Sequence, residues 1–156
     1  MPHEFLGPTG TPYNERNPQI SPDGRRIVFS SDSSGRLEIY IEPISPGGAP
    51  RQISVEGGTN PQWRSDGREL YFLSDRKLMA VDVSSGPGLT FKPPHELFHN
   101  PHLYPASMLA TVDATREITY RPKADGSQFL MLLTVGDAPI ALPLTVVTNW
   151  QATLKK

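Results

Sequence analysis

Apolar and polar residues alternate along this chain in short runs, and the runs recur in a fixed order. In "RRIVFSS", residues 25–31, Ile27 and Phe29 share one face of a strand; in "RELYFLS", residues 68–74, Leu70 and Phe72 do the same. Each run is preceded by an Asp-Gly pair, Asp23-Gly24 and Asp66-Gly67. Glycine accepts positive φ without a Cβ clash, and aspartate caps its own backbone two residues on. Each unit therefore reads strand, tight turn, strand. A third strand follows in both, "RLEIYIEPI" at 36–44 and "KLMAVDV" at 77–83, and a fourth is expected at "PRQIS", 50–54, and "HELF", 95–98.

The order is a repeat in the strict sense. "NPQISPDGRRIVFSSD", residues 17–32, returns as "NPQWRSDGRELYFLSD", residues 60–75, and the step from Asn17 to Asn60 is 43 residues. A period of about 40–50 residues with four short strands per unit is the period of β-propeller blades. A third copy stands at "YRPKADGSQFLMLL", 120–133, where Asp125-Gly126 precede the apolar run. Its longer offset places an inter-blade connection at 99–118, with a strand of its own expected near 108–112, and the β-branched residues at 145–148 supply a final strand. The expectation is an all-β chain: about three blades of four-stranded antiparallel sheet, a partial propeller. It forms a single segment over 1–156, with blades at 13–58, 59–98 and 119–156.

Composition supports this reading and narrows function. Thirteen glycines and seventeen prolines are spread through 156 residues, which leaves few stretches able to run as uninterrupted helix. Fifteen Lys and Arg against sixteen Asp and Glu, with no like-charge run longer than a few residues, do not make a nucleic-acid surface. Zero cysteines exclude a disulfide framework, a thiolate metal site and a cysteine nucleophile. No window approaches the roughly 18 apolar residues of a membrane span, so the chain reads as a soluble domain without membrane insertion.

The two phrases resemble the Ser-Pro-Asp-Gly repeat of TolB-type, WD-repeat-like β-propellers. The tail, "ADGSQFLMLL" at 124–133 with "LTVVTNWQATLKK" at 144–156, resembles the C-terminal end of propeller domains attached to bacterial serine/threonine protein kinases. Two positions depart from the pattern: Arg64-Ser65 and Lys123-Ala124 stand where Ser-Pro is usual. The resemblance implies a sensing or docking segment of a larger bacterial signalling protein, outside the cytoplasm. It also implies about half the blades of a closed ring. The remainder would come from the rest of a larger propeller or from a second copy of this chain.

Candidate chemistry is sparse. The sequence contains no G-x-S-x-G elbow, phosphate-cradling glycine loop or H-E-x-x-H, and neither a catalytic residue nor a cofactor is expected. His95, His99 and His102 lie four and three apart in a proline-containing segment and read as loop histidines rather than metal ligands. Asp23, Gly24, Asp66, Gly67, Asp125 and Gly126 read as structural turn residues. Trp63 matches Ile20 in the repeat and reads as core; Trp150 offers a second stacking surface. Asn17, Gln19, Asn60 and Gln62 open the innermost strands, where their amides either bind a peptide or polar ligand or frame the blade entry. The expected function is thus non-enzymatic, a binding surface for a protein or peptide partner. Two rivals are an accessory propeller that orients substrate for a hydrolase or peptidase domain, and a segment that only completes a ring.

Overall fold

The computed structural model describes residues 11–45, 47–84, 88–103, 119–133 and the strand at 144–147. Every regular element among them is a strand, and they form three antiparallel sheets. The first sheet runs β1 (Glu15–Ile20), β2 (Arg26–Ser31), β3 (Glu38–Pro43) and β4 (Arg51–Gln52) in sequence order. The second repeats that order with β5 (Thr59–Trp63), β6 (Glu69–Ser74), β7 (Lys77–Asp82) and β8 (His95–His99). The third has β10 (Phe129–Leu132) between β9 (Tyr120–Pro122) and β11 (Leu144–Val147), giving three described strands where four are expected. β11 begins one residue earlier than the β-branched run suggests, because Leu144 pairs with Leu132 at the end of β10. The strand expected at 108–112 and Trp150 lie outside the described residues.

The three Asp-Gly turns are built alike. Gly24, Gly67 and Gly126 have φ of 69°, 69° and 73°, the left-handed region that an L side chain enters at a cost. In each turn the glycine N–H donates to the carbonyl three residues back: Ser21 at 2.8 Å, Arg64 at 3.0 Å and Lys123 at 2.9 Å. The aspartate Oδ1 accepts the N–H two residues on: Arg25 at 3.1 Å, Arg68 at 3.0 Å and Ser127 at 2.9 Å. The turn thus satisfies its own backbone, which lets it sit at a sheet end without help from the next element.

Packing is blade against blade, and strand alternation decides which side chain meets which sheet. Val28, Ile39, Ile41 and Ile53 of the first sheet form one buried cluster with Leu70, Phe72, Val81 and Val83 of the second. Tyr71, Leu73, Leu78, Ala80 and Leu97 form the next cluster with Tyr120, Phe129 and Met131. The unbroken apolar run Leu70–Leu73 follows from this: β6 is buried on both faces, so every position meets a core. Each such side chain contributes about 1.5–3 kcal/mol through burial.

The passage from β3 into β5 is held by a buried carboxylate. Glu38, 1% exposed, accepts from the Ser54 hydroxyl, from Arg36 Nε at 2.7 Å and from the Gly57 N–H at 3.0 Å. Ser54 Oγ in turn accepts from the Ile39 N–H at 2.8 Å. A buried charge is tolerable only when surrounded by donors in this way. The network fixes segment 53–58 against β3, and so fixes where β5 begins.

Candidate functional site

β1, β5 and β9 open their sheets and form one edge of each, and they stand beside one another. The candidate residues lie on these strands. Asn17 and Asn60 adopt φ of 52° and 53°, within register breaks between Arg16 and Gln19 and between Thr59 and Gln62. Each Asn-Pro pair therefore occupies a β-bulge. Asparagine tolerates the left-handed conformation better than most residues, and proline sits where the ladder needs no N–H. The repeated "NPQ" has a backbone reason before it has a chemical one.

Beyond the bulge, the side chains join one blade to the next. Asn60 Nδ2 donates to Thr119 Oγ1 at 2.8 Å, and Arg121 Nη1 donates to Gln62 Oε1 at 3.0 Å. Ser65 Oγ donates to the Ala124 carbonyl at 2.7 Å. All three links span 59 residues, so each connects equivalent positions of consecutive repeats. Asn60 and Gln62 are 4% and 5% exposed, whereas Gln19 is half-buried and Arg121 is exposed. No carboxylate among the described residues pairs with Arg121, whose guanidinium is steadied by the neutral Gln62 amide.

Thr119 and Arg121 were not singled out from the sequence, and Ala124 was noted only as a departure from the repeat pattern. The signal was available: the offset of the third copy carries Asn60 onto Thr119 and Gln62 onto Arg121. The row of equivalent positions is thus Gln19, Gln62, Arg121 along three neighbouring strands. It offers amide donors and acceptors and one fixed cation, groups suited to peptide carbonyls, amides or a carboxylate.

The turns above this row differ blade by blade. The Ser21 hydroxyl donates to Asp23 Oδ1 at 2.6 Å and its oxygen accepts the Arg26 N–H at 3.0 Å. Arg64, at the equivalent position, grips both Asp66 oxygens at 2.8 Å and Glu69 Oε2 at 2.8 Å, and the Tyr71 hydroxyl donates to that same Glu69 oxygen at 2.8 Å. These partners hold the carboxyls below their ordinary range: the Ser21 hydroxyl for Asp23 and the Arg64 guanidinium for Asp66. Asp125 falls furthest, to about 2, through the Ser127 hydroxyl and backbone N–H. Burial and the Glu69 contact raise the Tyr71 phenol, so it stays a neutral donor.

The other candidates lie elsewhere. His95 and His99 are exposed on β8 and His102 is exposed in the loop after it; no group of three metal-binding side chains occurs among the described residues. Trp63 is half-buried and packs against the first inter-blade cluster, with its indole N–H buried and without a partner.

Three blade-like sheets with this connectivity define the fold: blades of a β-propeller of the kind seen in TolB. The solved structures it resembles show this fold at low sequence identity. TolB from Acinetobacter baumannii matches at TM-score 0.58 and 15% identity, over 89% of this chain and 30% of its own. A TolB-type protein from Agrobacterium tumefaciens matches at 0.61 and 14%, over 91% and 47%. Oligogalacturonate lyase from Vibrio parahaemolyticus matches at 0.52 and 16%, over 80% and 32%. In sequence, the chain is 28% identical over 98 residues to Tricorn protease homolog 1 of Streptomyces coelicolor, covering 55% of this chain and 9% of that protein. No family model matches the chain.

Proposed function

We propose that this chain is a protein- or peptide-binding segment of a TolB-type propeller, with no catalytic role of its own. The observation that carries the reading is the row Gln19, Gln62 and Arg121, equivalent polar positions on three adjacent strands, with an exposed guanidinium steadied by a buried amide. Asn17 and Asn60 shape the bulge that presents the row. The parent is a bacterial signalling protein, such as the receptor kinases whose attached propellers the tail resembles, with this segment outside the cytoplasm. No helix among the described residues is long and apolar enough to cross a membrane.

The test is to pan a peptide library against the protein and titrate the selected peptides into variants by calorimetry. Gln19→Ala should weaken binding at least tenfold while leaving the melting temperature within a degree or so, because its side chain reaches solvent. Arg121→Ala and Gln62→Ala should lower both, since the bond between them joins two blades. Peptides that bind all variants equally would place the site elsewhere, and turnover abolished by one of these changes would make the chain an enzyme.

A second reading has one observation in its favour. The match to a Tricorn protease homolog supports an accessory propeller that orients substrate for a hydrolase or peptidase domain on the same parent chain. A catalytic domain encoded beside this segment would decide for it.

A further inference from the structure

The row Gln19, Gln62 and Arg121 is unbalanced in hydrogen-bond donors and acceptors. Gln19 pairs with Val28, Gln62 with Tyr71 and Arg121 with Leu130, so all three hold the same register in their sheets. The third copy carries a cation where the first two carry an amide. Arginine cannot accept a hydrogen bond, so the Gln62 amide is oriented: its Oε1 faces Arg121 at 3.0 Å. Its Nε2 meets no acceptor among the described residues, although Gln62 is only 5% exposed. The half-buried Gln19 amide has no partner among them either. Arg121 is exposed, gives an N–H to Gln62 and pairs with no acid among the described residues. The acids of the neighbouring turns are already held: Asp66 and Glu69 by Arg64, and Asp125 by Ser127 and Lys123.

The side chains of the row thus offer the remaining guanidinium N–H groups and the N–H groups of two amides against a single unfilled acceptor, Gln19 Oε1. A neutral peptide group brings donors and acceptors together and would leave most of these donors unmet. A carboxylate brings acceptors alone, matches the planar guanidinium fork and neutralises its charge. We propose that the peptide ligand is recognised by a carboxylate, which pairs with the Arg121 guanidinium while the Gln19 amide takes a neighbouring backbone group. This rests on the row being the peptide site. Gln62 acts as a positioning residue: its buried amide holds the guanidinium before the ligand arrives, which reduces the side-chain freedom lost on pairing. The departure from glutamine in the third copy then has a role that a third amide could not fill.

The test takes peptides from the panned set and makes each as selected, with an amidated C-terminus, with Asp and Glu replaced by Asn and Gln, and with both changes. In calorimetric titrations of the wild-type chain, removing every carboxylate should weaken binding by about tenfold or more. The singly changed form that carries the loss identifies the source as the C-terminus or an acidic side chain. The preference for the acid form should shrink as salt is raised. Arg121→Gln writes the residue of the first two copies into the third. It keeps an N–H for Gln62 without the charge, and should bring acid and neutral forms to within about twofold of each other. Should that variant lose its β-sheet circular dichroism, the Arg121 Nε–H resonance of the wild-type chain gives the same answer: it should shift with acid peptides and not with neutral ones. Neutral peptides that bind as tightly as acid ones, or a preference that Arg121→Gln leaves intact, would overturn the carboxylate and leave the peptide site standing. A library that yields no binder, or peptides indifferent to Gln19, Gln62 and Arg121 alike, would overturn the proposed function along with it.

Discussion

At the residue scale, the turn glycines separate two costs that sequence alone merges. Gly24 and Gly126 have nearly the same φ, yet a Cβ on Gly24 would meet nothing within 4 Å, whereas one on Gly126 would run into the Tyr71 hydroxyl and the Arg64 side chain. Gly24→Ala should therefore cost about 1 kcal/mol, the left-handed backbone penalty alone. Gly126→Ala should cost about 3 kcal/mol or more, because the overlap falls on a packed junction. Chemical denaturation of the two variants measures the difference. Glu42 supplies a second residue-scale prediction. Its Oε2 is buried without a partner, and burial with the nearby Glu15 charge raises its carboxyl above the ordinary value. A raised carboxyl favours the folded state only while protonated, so its cost appears as pH rises through the folded pKa. Glu42→Gln should raise the melting temperature at pH 7 and have little effect at pH 4.

At the element scale, the bulge and the turn explain what the repeated phrase is for. Asn60→Ala removes both the left-handed tolerance and the bond to Thr119, about 1 kcal/mol each, while Asn60→Gly removes only the bond. Thermal melts should rank wild type above Gly above Ala; equal losses would remove the backbone reason for asparagine here. The Asp turns titrate as a group. The folded pKa values of Asp23, Asp66 and Asp125 are lowered, so their stabilisation is complete above the ordinary carboxylate value and is lost as pH falls through the folded values, near 2 for Asp125. The melting temperature should drop between about pH 4 and 2, less steeply in the triple Asp→Asn variant. Blade strands were legible in the sequence because alternation, Asp-Gly turns and period agree with one another. The Asn-Pro bulge was not, since a register break leaves no hydrophobic signature. Nor was the Arg64 clasp: a departure from Ser-Pro reads as a lost motif until the carboxylates of Asp66 and Glu69 are seen to converge on it.

At the scale of the whole molecule, the described residues form a row of sheets packed neighbour to neighbour, so stability should divide into blades and junctions as it does in other repeat proteins. The second junction concentrates on one side chain. Phe129 is fully buried and, among the described residues, meets the rings of Tyr71 at 4.9 Å, Phe98 at 6.2 Å and Tyr120 at 6.4 Å. The first junction sets Phe72 among aliphatic side chains, with Trp63 and Phe91 at its margin, and has no comparable meeting of rings among the described residues. Phe129→Ala should accordingly cost about 3–5 kcal/mol, the range for an aromatic removed from a packed core. Its effect should also be local. Hydrogen exchange at the β9 and β10 amides should accelerate by two or more orders of magnitude, while the amides linking β2 and β3 keep most of their protection, because their cluster contains no residue of the third sheet. A uniform loss of protection across all three sheets would instead mean that the blades fold as one cooperative unit. In that case the cross-blade bonds from Asn60, Gln62 and Ser65 would have to carry more coupling than three hydrogen bonds of ordinary strength supply.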